Sequence, residues 1–333
     1  MKNLQIESLR GIMMLVIMFY NYTYRFSGLY SIKTIDFFSL EKLGTIGVGA
    51  FFVISGYFII PKDLSHFNFI SFFTKKIARL YPAYFVCVTL TFISISLFGL
   101  PERGSRLIDY IINLTLLNGY IGVRYVDGAH WYLANLILFY VIIGVAMQLK
   151  IKKDYLFFVW LALSIILAFF SVRYFSISYA YIITGGKFTP YCIIGIVLSE
   201  IQNDRANRIK YMFLIIIASV YIFFQHGVVT SVGSLIFLSI FILALKKEFA
   251  VLKLRPLVWL GTISYIVYLL HQNIGYQLLL FMTKIFHGFH VSYIIYTMVI
   301  VLLLSYLVSL FIQQTKQYNI MRVLKKFFVT HSN

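Results

Sequence analysis

Residues 75–99 read KKIARLYPAYFVCVTLTFISISLFG, a basic cluster followed by a long uncharged stretch. Residues 80–99 contain no Lys, Arg, Asp or Glu, and a helix of that length can cross the hydrocarbon core of a membrane. Pro82 lies near the start of this stretch, where a missing backbone N–H disturbs a helix least, so we predict that the helix begins just before it. The stretch is predicted to be a membrane-spanning helix with a basic end.

Similar uncharged stretches recur along the whole chain. The ten predicted spans are residues 11–24, 44–61, 80–99, 131–149, 155–172, 178–199, 211–225, 228–245, 257–282 and 292–314. With 61% hydrophobic and 12% charged residues, a soluble domain of 333 residues would have more apolar surface than it could bury. We therefore expect an all-α integral membrane protein, with about ten transmembrane helices in one bundle (residues 1–315) and a short basic cytoplasmic tail (residues 316–333).

The basic residues predict how the chain is oriented. Ten spans place both termini on one side of the membrane, and twenty of the 29 Lys and Arg residues fall on that side. The other nine are Arg25, Lys33, Lys42, Arg103, Arg106, Arg124, Arg173, Lys187 and Lys284. Since cytoplasmic loops carry the excess of Lys and Arg, both termini are predicted to be cytoplasmic. The net charge of +18 reflects this orientation and not nucleic-acid binding, because there is no basic stripe with interleaved aromatic residues.

Polar residues inside or beside membrane spans are functional candidates, because burying them in hydrocarbon is unfavourable unless they face a cavity or a partner. Arg10 begins the first span, and Asn21 follows eleven residues later, three helical turns away and on nearly the same face. Lys75, Lys76 and Arg79 cluster at the cytoplasmic end of the third span. Taken alone, that cluster is typical of an ordinary membrane anchor.

His271 lies deep in the ninth span and is followed by Gln272 and Asn273. A lone histidine in a helix more often has a packing role. Three adjacent polar residues within one membrane span instead favour a functional site.

Five stretches, taken together, resemble the acyltransferase 3 family of membrane-bound O-acyltransferases. They are SLRGIMMLVIMFYNYTYRF (8–26), GVGAFFVISGYFI (47–59), FFTKKIARLYPAYF (72–85), VDGAHWYLANLILFY (126–140) and LGTISYIVYLLHQNI (260–274). Each stretch alone is a weak signal, and GVGAFF by itself is also typical of small-residue helix packing. Their order and spacing are what resemble the family.

The resemblance implies transfer of an acyl group, usually acetyl, from cytoplasmic acyl-CoA to a sugar hydroxyl. The acceptor would be a lipid-linked or surface polysaccharide such as an O-antigen, and the enzyme would lie in the bacterial inner membrane. Acetyl-CoA is then the donor substrate, without a metal, and the partners are the lipid bilayer and the glycan. No nucleic acid is involved, and the sequence leaves the oligomeric state open.

The resemblance also assigns roles to individual residues. Arg79, Lys75, Lys76 and Arg10 would hold the phosphates of coenzyme A through charge-assisted hydrogen bonds, and Arg10 is also a candidate catalytic residue. The residues expected to contact the acceptor are Tyr22, Asp127 and Trp131. Many tyrosines of this chain are also explained by the aromatic belt that membrane proteins place at the lipid–water interface.

The sequence departs from the family pattern at two positions. Asn21 stands where the family has a histidine that acts as general base, and an amide cannot take up a proton. Leu136 stands where many members have a glutamate. Either the chemistry has moved to His271 or to His130, whose imidazole Asp127 could orient, or the chain is an inactive form. A histidine that caps a helix start is an equally good interpretation of His130.

Two classes of function therefore stay open. One is a membrane O-acyltransferase, and the other is a non-catalytic protein of the same fold that carries a glycan or lipid. Transporters often show inverted repeats with matching helix breaks, whereas this chain has only isolated breaks at Gly185, Gly186 and Pro190, which favours the enzyme. A hydrolase is not indicated, since there is no Gly-x-Ser-x-Gly motif, and the seven scattered histidines do not have metal-binding spacing.

Overall fold

The computed structural model describes residues 3–35, 40–61, 63–171, 182–203 and 207–317, and within these residues the chain is helical and contains no strand. The helices are α1 Leu4–Tyr20, α2 Phe26–Tyr30, α3 Leu40–Tyr57, α4 Phe69–Phe98, α5 Leu107–Asn113, α6 Trp131–Gln148, α7 Lys153–Ser171, α8 Thr189–Asn203, α9 Arg208–Leu245, α10 Arg255–Ile285 and α11 Ser292–Gln317. Nearly all of the predicted tail, residues 318–333, lies outside the described residues.

A helical segment overlaps each of the ten predicted spans. The seventh and eighth spans are the two limbs of α9, which meet at Gly227, where the backbone leaves the helical conformation (φ 77°, ψ 179°). In the described part of the chain, five helical segments are long and apolar enough to cross a membrane: Phe69–Phe98, Gly128–Gln148, Lys153–Ser171, Arg208–Leu245 and Ser292–Gln314. The protein is therefore a multi-pass membrane protein.

The predicted start of the third span is wrong. Helix α4 begins at Phe69, so Pro82 lies in its interior and not in its first turn. Charge ends an apolar stretch but does not end a helix, because Lys and Arg are good helix formers whose long side chains can reach the membrane surface. Within α4, Pro82 removes the N–H that would otherwise bond to the Ala78 carbonyl.

The first helix also differs from the prediction at both ends. It begins at Leu4 because the Asn3 side chain caps it, accepting a 3.0 Å hydrogen bond from the Gln5 N–H. Arg10 is therefore well inside α1 and does not begin it. At its other end, α1 widens into a π-helical turn over Asn21–Arg25 before α2 follows.

The chain divides into two compact units, and two of its helices contribute to both. The first unit comprises Met1–Ala78 and His130–Thr262, and the second comprises Arg79–Ala129 and Ile263–Asn333. Helix α4 passes from one unit to the other after Ala78, and α10 does so after Thr262.

Glycines set the helix packing inside the first unit. Gly49 faces the ring of Tyr191, and a Cβ atom at Gly56 would overlap the backbone carbonyl of Cys192. Gly195 likewise lies against the Val53 carbonyl, so α3 and α8 run parallel with their backbones in close contact. The interpretation of the GVGAFF stretch as small-residue packing is confirmed.

In the second unit, the segment between α4 and α6 is well structured. Asn113 is fully buried; its side-chain amide donates to the Arg124 carbonyl at 2.9 Å and accepts from the Val126 N–H at 3.0 Å. The hydroxyl of Tyr84, from α4, donates to the Asn113 carbonyl at 2.7 Å. These bonds tie the segment to α4.

Candidate functional site

Asn21, at the position of the family histidine, is buried at the start of the π-helical turn. Its side-chain amide donates to the Ile17 carbonyl at 2.9 Å, and the Thr23 hydroxyl donates to the Phe19 carbonyl at 2.6 Å. Both side chains thus bond to backbone carbonyls of their own helix, at the point where its backbone hydrogen bonding changes from α-helical to π-helical. Single π-helical turns inside α-helices are frequently found at functional sites.

The tyrosines around Asn21 differ in exposure. Tyr22 is fully buried, whereas Tyr24 is 47% exposed. The Tyr24 hydroxyl donates to the Glu41 carboxylate at 3.1 Å, and Lys42 pairs with that same carboxylate at 2.6 Å. The Lys42 ammonium and the Tyr24 hydroxyl hold the pKa of Glu41 below its usual range, so this carboxylate is ionised at neutral pH.

Two of the predicted donor-binding residues meet in the first unit. Arg10 pairs with Glu7 at 3.3 Å, and its guanidinium carbon lies 5.9 Å from the centre of the Phe58 ring. The Lys76 ammonium donates to the Phe58 carbonyl at 3.1 Å and lies 5.1 Å from the centre of the Tyr140 ring. Arg10 and Lys76 therefore converge at Phe58, just beyond the end of α3.

The other two predicted donor-binding residues are exposed. Lys75 and Arg79 lie four residues apart on α4, a spacing that puts them on the same face of this helix. Neither side chain has an ion-pair partner in the described part of the chain. They are therefore better placed than Arg10 and Lys76 to bind an anion from outside the protein.

Trp131 belongs to an aromatic cluster at the start of α6. Its ring centre is 5.0 Å from that of Phe188 and 6.2 Å from that of Phe52. One turn further, Leu136 is 4% exposed, so the position where many family members have a glutamate is a packed apolar side chain here.

In the second unit, the segment just before α6 is bonded to the middle of α10. The Asn273 backbone N–H donates to the Asp127 carboxylate at 3.0 Å, and the Asn273 side chain donates to the Val126 carbonyl at 2.7 Å. The Tyr268 hydroxyl donates to the Ala129 carbonyl at 2.6 Å. The Asp127 carboxylate also accepts from the Ala129 N–H at 2.8 Å, so two backbone donors hold it.

The two candidate histidines are both fully buried. His130 precedes α6, but its side chain does not cap this helix. That Asp127 orients its imidazole stays a prediction. The Nδ1 atom of His271 lies 2.8 Å from the Tyr268 carbonyl oxygen. Because a carbonyl can only accept, Nδ1 carries the proton in the neutral ring, and Nε2 keeps the lone pair that a general base needs.

From the sequence, Arg103 was only one of the nine basic residues predicted to lie on the outer side of the membrane. Its Nη1 atom lies 3.5 Å from the Asn273 side-chain oxygen, and its guanidinium carbon is 5.9 Å from the centre of the Tyr276 ring. A Cβ atom at Gly128 would meet Nη1 of Arg103 on one side and the Gln272 amide oxygen on the other. Only these long-range contacts reveal it, since nothing in the local sequence around Arg103 is unusual.

The described residues contain no group of three His, Cys, Asp or Glu side chains that could hold a metal ion. A family model described as an acyltransferase domain matches residues 3–312, a range that includes every site residue named above. Among curated proteins, none matches the chain, and no solved structure matches it either.

Proposed function

The chain belongs to the acyltransferase 3 family, and on that basis we propose that it transfers an acyl group, most simply acetyl, from acyl-CoA to a sugar hydroxyl. The acceptor would be a lipid-linked or surface polysaccharide such as an O-antigen. The observation that carries this proposal is the family match over residues 3–312, which extends through both units.

We further propose a setting for the reaction. The chain forms one domain, residues 1–315, of ten transmembrane helices in the bacterial inner membrane, and its termini and the tail at 316–333 are cytoplasmic. The twenty-to-nine division of basic residues supports this orientation, which puts Lys75 and Arg79 on the side where acyl-CoA is made.

On the donor side, the exposed pair Lys75 and Arg79 would bind the phosphates of acetyl-CoA. Arg79 presents a planar fork of N–H donors that matches a phosphate, and Lys75 adds a mobile positive charge on the same helix face. Arg10 and Lys76, which contact Phe58, are also proposed to bind the donor.

On the acceptor side, His271 would act as general base, with Tyr22, Asp127 and Trp131 contacting the sugar. The lone pair on its Nε2 would take the proton of the sugar hydroxyl as the oxygen attacks the thioester carbonyl carbon. The carbon–sulfur bond then breaks, and the thiolate of coenzyme A leaves and takes up the proton. The hydrogen bond between Nδ1 and the Tyr268 carbonyl supports this role because it keeps His271 in the required tautomer.

A second candidate function is a non-catalytic member of the family that carries a glycan or a lipid. One observation favours it: the Asn21 amide is committed to the Ile17 carbonyl and has no basic nitrogen. A chain that lost its base at this position and did not replace it would keep the fold without the reaction.

The first prediction distinguishes these two functions by transfer of labelled acetyl from acetyl-CoA in membranes. We expect His271→Ala to lower the rate by about 10²–10⁴-fold, the contribution of a positioned general base, and Asn21→His to change it little. His130→Ala tests the other histidine, and His66→Ala, which alters an exposed loop histidine, is the matched control.

Other outcomes identify the other candidates. A large loss in His130→Ala alone would move the base to His130. An inactive natural chain that gains transfer with Asn21→His would be an inactivated enzyme. Absence of transfer in every variant, under conditions where a related enzyme is active, would favour the carrier.

A further inference from the structure

A second group of basic side chains lies in the first unit, and the reaction proposed above does not use it. It consists of Lys187, His226 and, at longer range, Lys42. All three fall on the predicted outer side: Lys42 and Lys187 are two of the nine outer basic residues, and His226 follows the seventh predicted span. The cluster is thus predicted to face the side opposite Lys75 and Arg79.

The backbone around Lys187 is fixed by a tight turn. Gly185 and Gly186 have φ angles of 96° and 58°, a left-handed conformation that favours glycine. The Trp160 indole N–H donates to the Thr184 carbonyl at 2.8 Å, and this bond anchors the turn to α7. Lys187 is therefore held in a defined position although its side chain is exposed.

His226 lies at the end of the first limb of α9, next to Gly227. Its imidazole makes a hydrogen bond with the backbone of Lys187. Its ring centre lies 6.4 Å from that of Phe188 and 6.2 Å from that of Tyr191. The Nε2 atom is buried and has no hydrogen-bond partner among the described residues. The ring is thus fixed on one side and retains an unused polar atom.

The positive charge of Lys187 is not neutralised within the described residues. No carboxylate pairs with Lys187, whose ammonium lies 5.5 Å from the centre of the Phe188 ring. Lys42 also acts electrostatically on His226, but it is paired with Glu41. Phe188 in turn contacts Trp131, so an exposed cation stands over one ring of an aromatic pair.

We propose that Lys187, positioned by His226, binds an anionic group of the acceptor, either the phosphate of a lipid carrier or the carboxylate of an acidic sugar. The Lys187 ammonium donates to the anionic oxygens, and the hydrogen bond between His226 and the Lys187 backbone holds Lys187 in place. Phe188 is buried beneath the ammonium, and the half-buried Trp131 beside it can pack against the apolar face of the adjoining sugar. The proposal deepens the function proposed above and rests on it for the nature of the acceptor.

The test is direct binding to the full-length protein in phosphatidylcholine nanodiscs, which does not require transfer to occur. Two labelled probes are compared, a polyprenyl phosphate and an acidic oligosaccharide of hexuronate units. We expect one of them to bind, and the probe that binds identifies the source of the anionic group. Lys187→Gln should weaken its binding by about tenfold or more, as expected for loss of a charged hydrogen bond.

Further variants separate a specific site from general attraction. Lys187→Arg should keep most of the affinity, and His226→Gln should lose part of it. Lys284→Gln, which removes an exposed lysine also predicted to be on the outer side, should bind as the natural chain does. Coenzyme A binding by the same samples reports whether each variant has folded and tests the donor site separately.

Three results would overturn the proposal: binding of neither probe, equal binding by Lys187→Gln and the natural chain, or displacement of the probe by phosphatidylglycerol at equal concentration. The last would identify a headgroup site for bulk lipid. Acceptor binding without acetyl transfer would leave the anion site standing and would contradict only the proposed catalysis.

Discussion

At the scale of single residues, the polar side chains differ in whether they already bond to another part of the protein. Lys76 bonds to the Phe58 carbonyl and Asn273 bonds to the Val126 carbonyl, so each holds one helix to a segment outside it. Lys75 and Arg79 are exposed on α4. Substitutions should therefore separate residues that stabilise the fold from residues that bind a ligand, although all are polar residues in or beside membrane spans.

The residues predicted to bind the donor allow these two roles to be measured separately. We expect Arg79→Ala to weaken coenzyme A binding by about tenfold or more, and Arg79→Lys to restore it only in part, because an ammonium lacks the guanidinium fork. Lys76→Ala should instead lower the melting temperature. Calorimetric titration and thermal unfolding of detergent-purified protein measure the two effects.

The matched control for this cluster is Arg208→Ala, which removes an exposed arginine predicted to be on the same side of the membrane. It should change neither measurement. If Arg79→Ala bound coenzyme A as tightly as the natural chain, Arg79 would not belong to the donor site.

At the scale of helices, hydropathy predicted where apolar helices lie but not where they begin or what holds them. The start of α4 was missed because residues 69–79 contain three basic residues, which interrupt an apolar pattern without interrupting a helix. The bonds from Asn273 and Tyr268 to residues 126–129 were missed because they join positions more than 130 residues apart. The sequence indicated His271 as a candidate. Its tautomer follows from the hydrogen bond with the Tyr268 carbonyl, which the sequence does not show.

The parallel packing of α3 and α8 gives a prediction at this scale. Gly56→Ala should lower the free energy of unfolding by about 1–3 kcal/mol, since the added methyl group meets the rigid Cys192 carbonyl. Gly28→Ala in α2 is the matched control, because no atom lies within 4 Å of its added Cβ atom. Thermal unfolding in one detergent compares them, and an equal melting temperature for both variants would contradict the close contact at Gly56.

At the scale of the whole molecule, the distribution of charge is the main basis for orientation. The five apolar helical segments make the protein multi-pass, and the ten-span arrangement with cytoplasmic termini remains a proposal that rests on twenty basic residues against nine. Cys87 and Cys192 are both fully buried, so the natural thiols should react little with a reagent in solution. Introduced cysteines can therefore be used to test the orientation.

We expect Lys152→Cys and Arg208→Cys to be protected from an impermeant thiol reagent in intact cells, and Lys284→Cys to be labelled. All three positions are exposed, so accessibility within the protein does not distinguish them. Labelling after the cells are opened shows that the protected thiols can react. Labelling of Lys152→Cys from outside would show that the orientation is opposite to the proposed one. Lys75 would then lie on the side of the membrane without acyl-CoA.

The π-helical turn at Asn21–Arg25 affects how this chain tolerates a change in length. The Phe26 N–H bonds to the Asn21 carbonyl, a ring with one residue more than an α-helical turn contains. Deleting one residue elsewhere in α1 would rotate everything beyond it by about 100°. Deleting one inside the π turn would only restore α-helical geometry, and both Arg10 and Phe26 would keep their faces. We therefore expect this chain to lose one residue within 22–25 without rotating the helix beyond it, whereas a deletion elsewhere in α1 would rotate it.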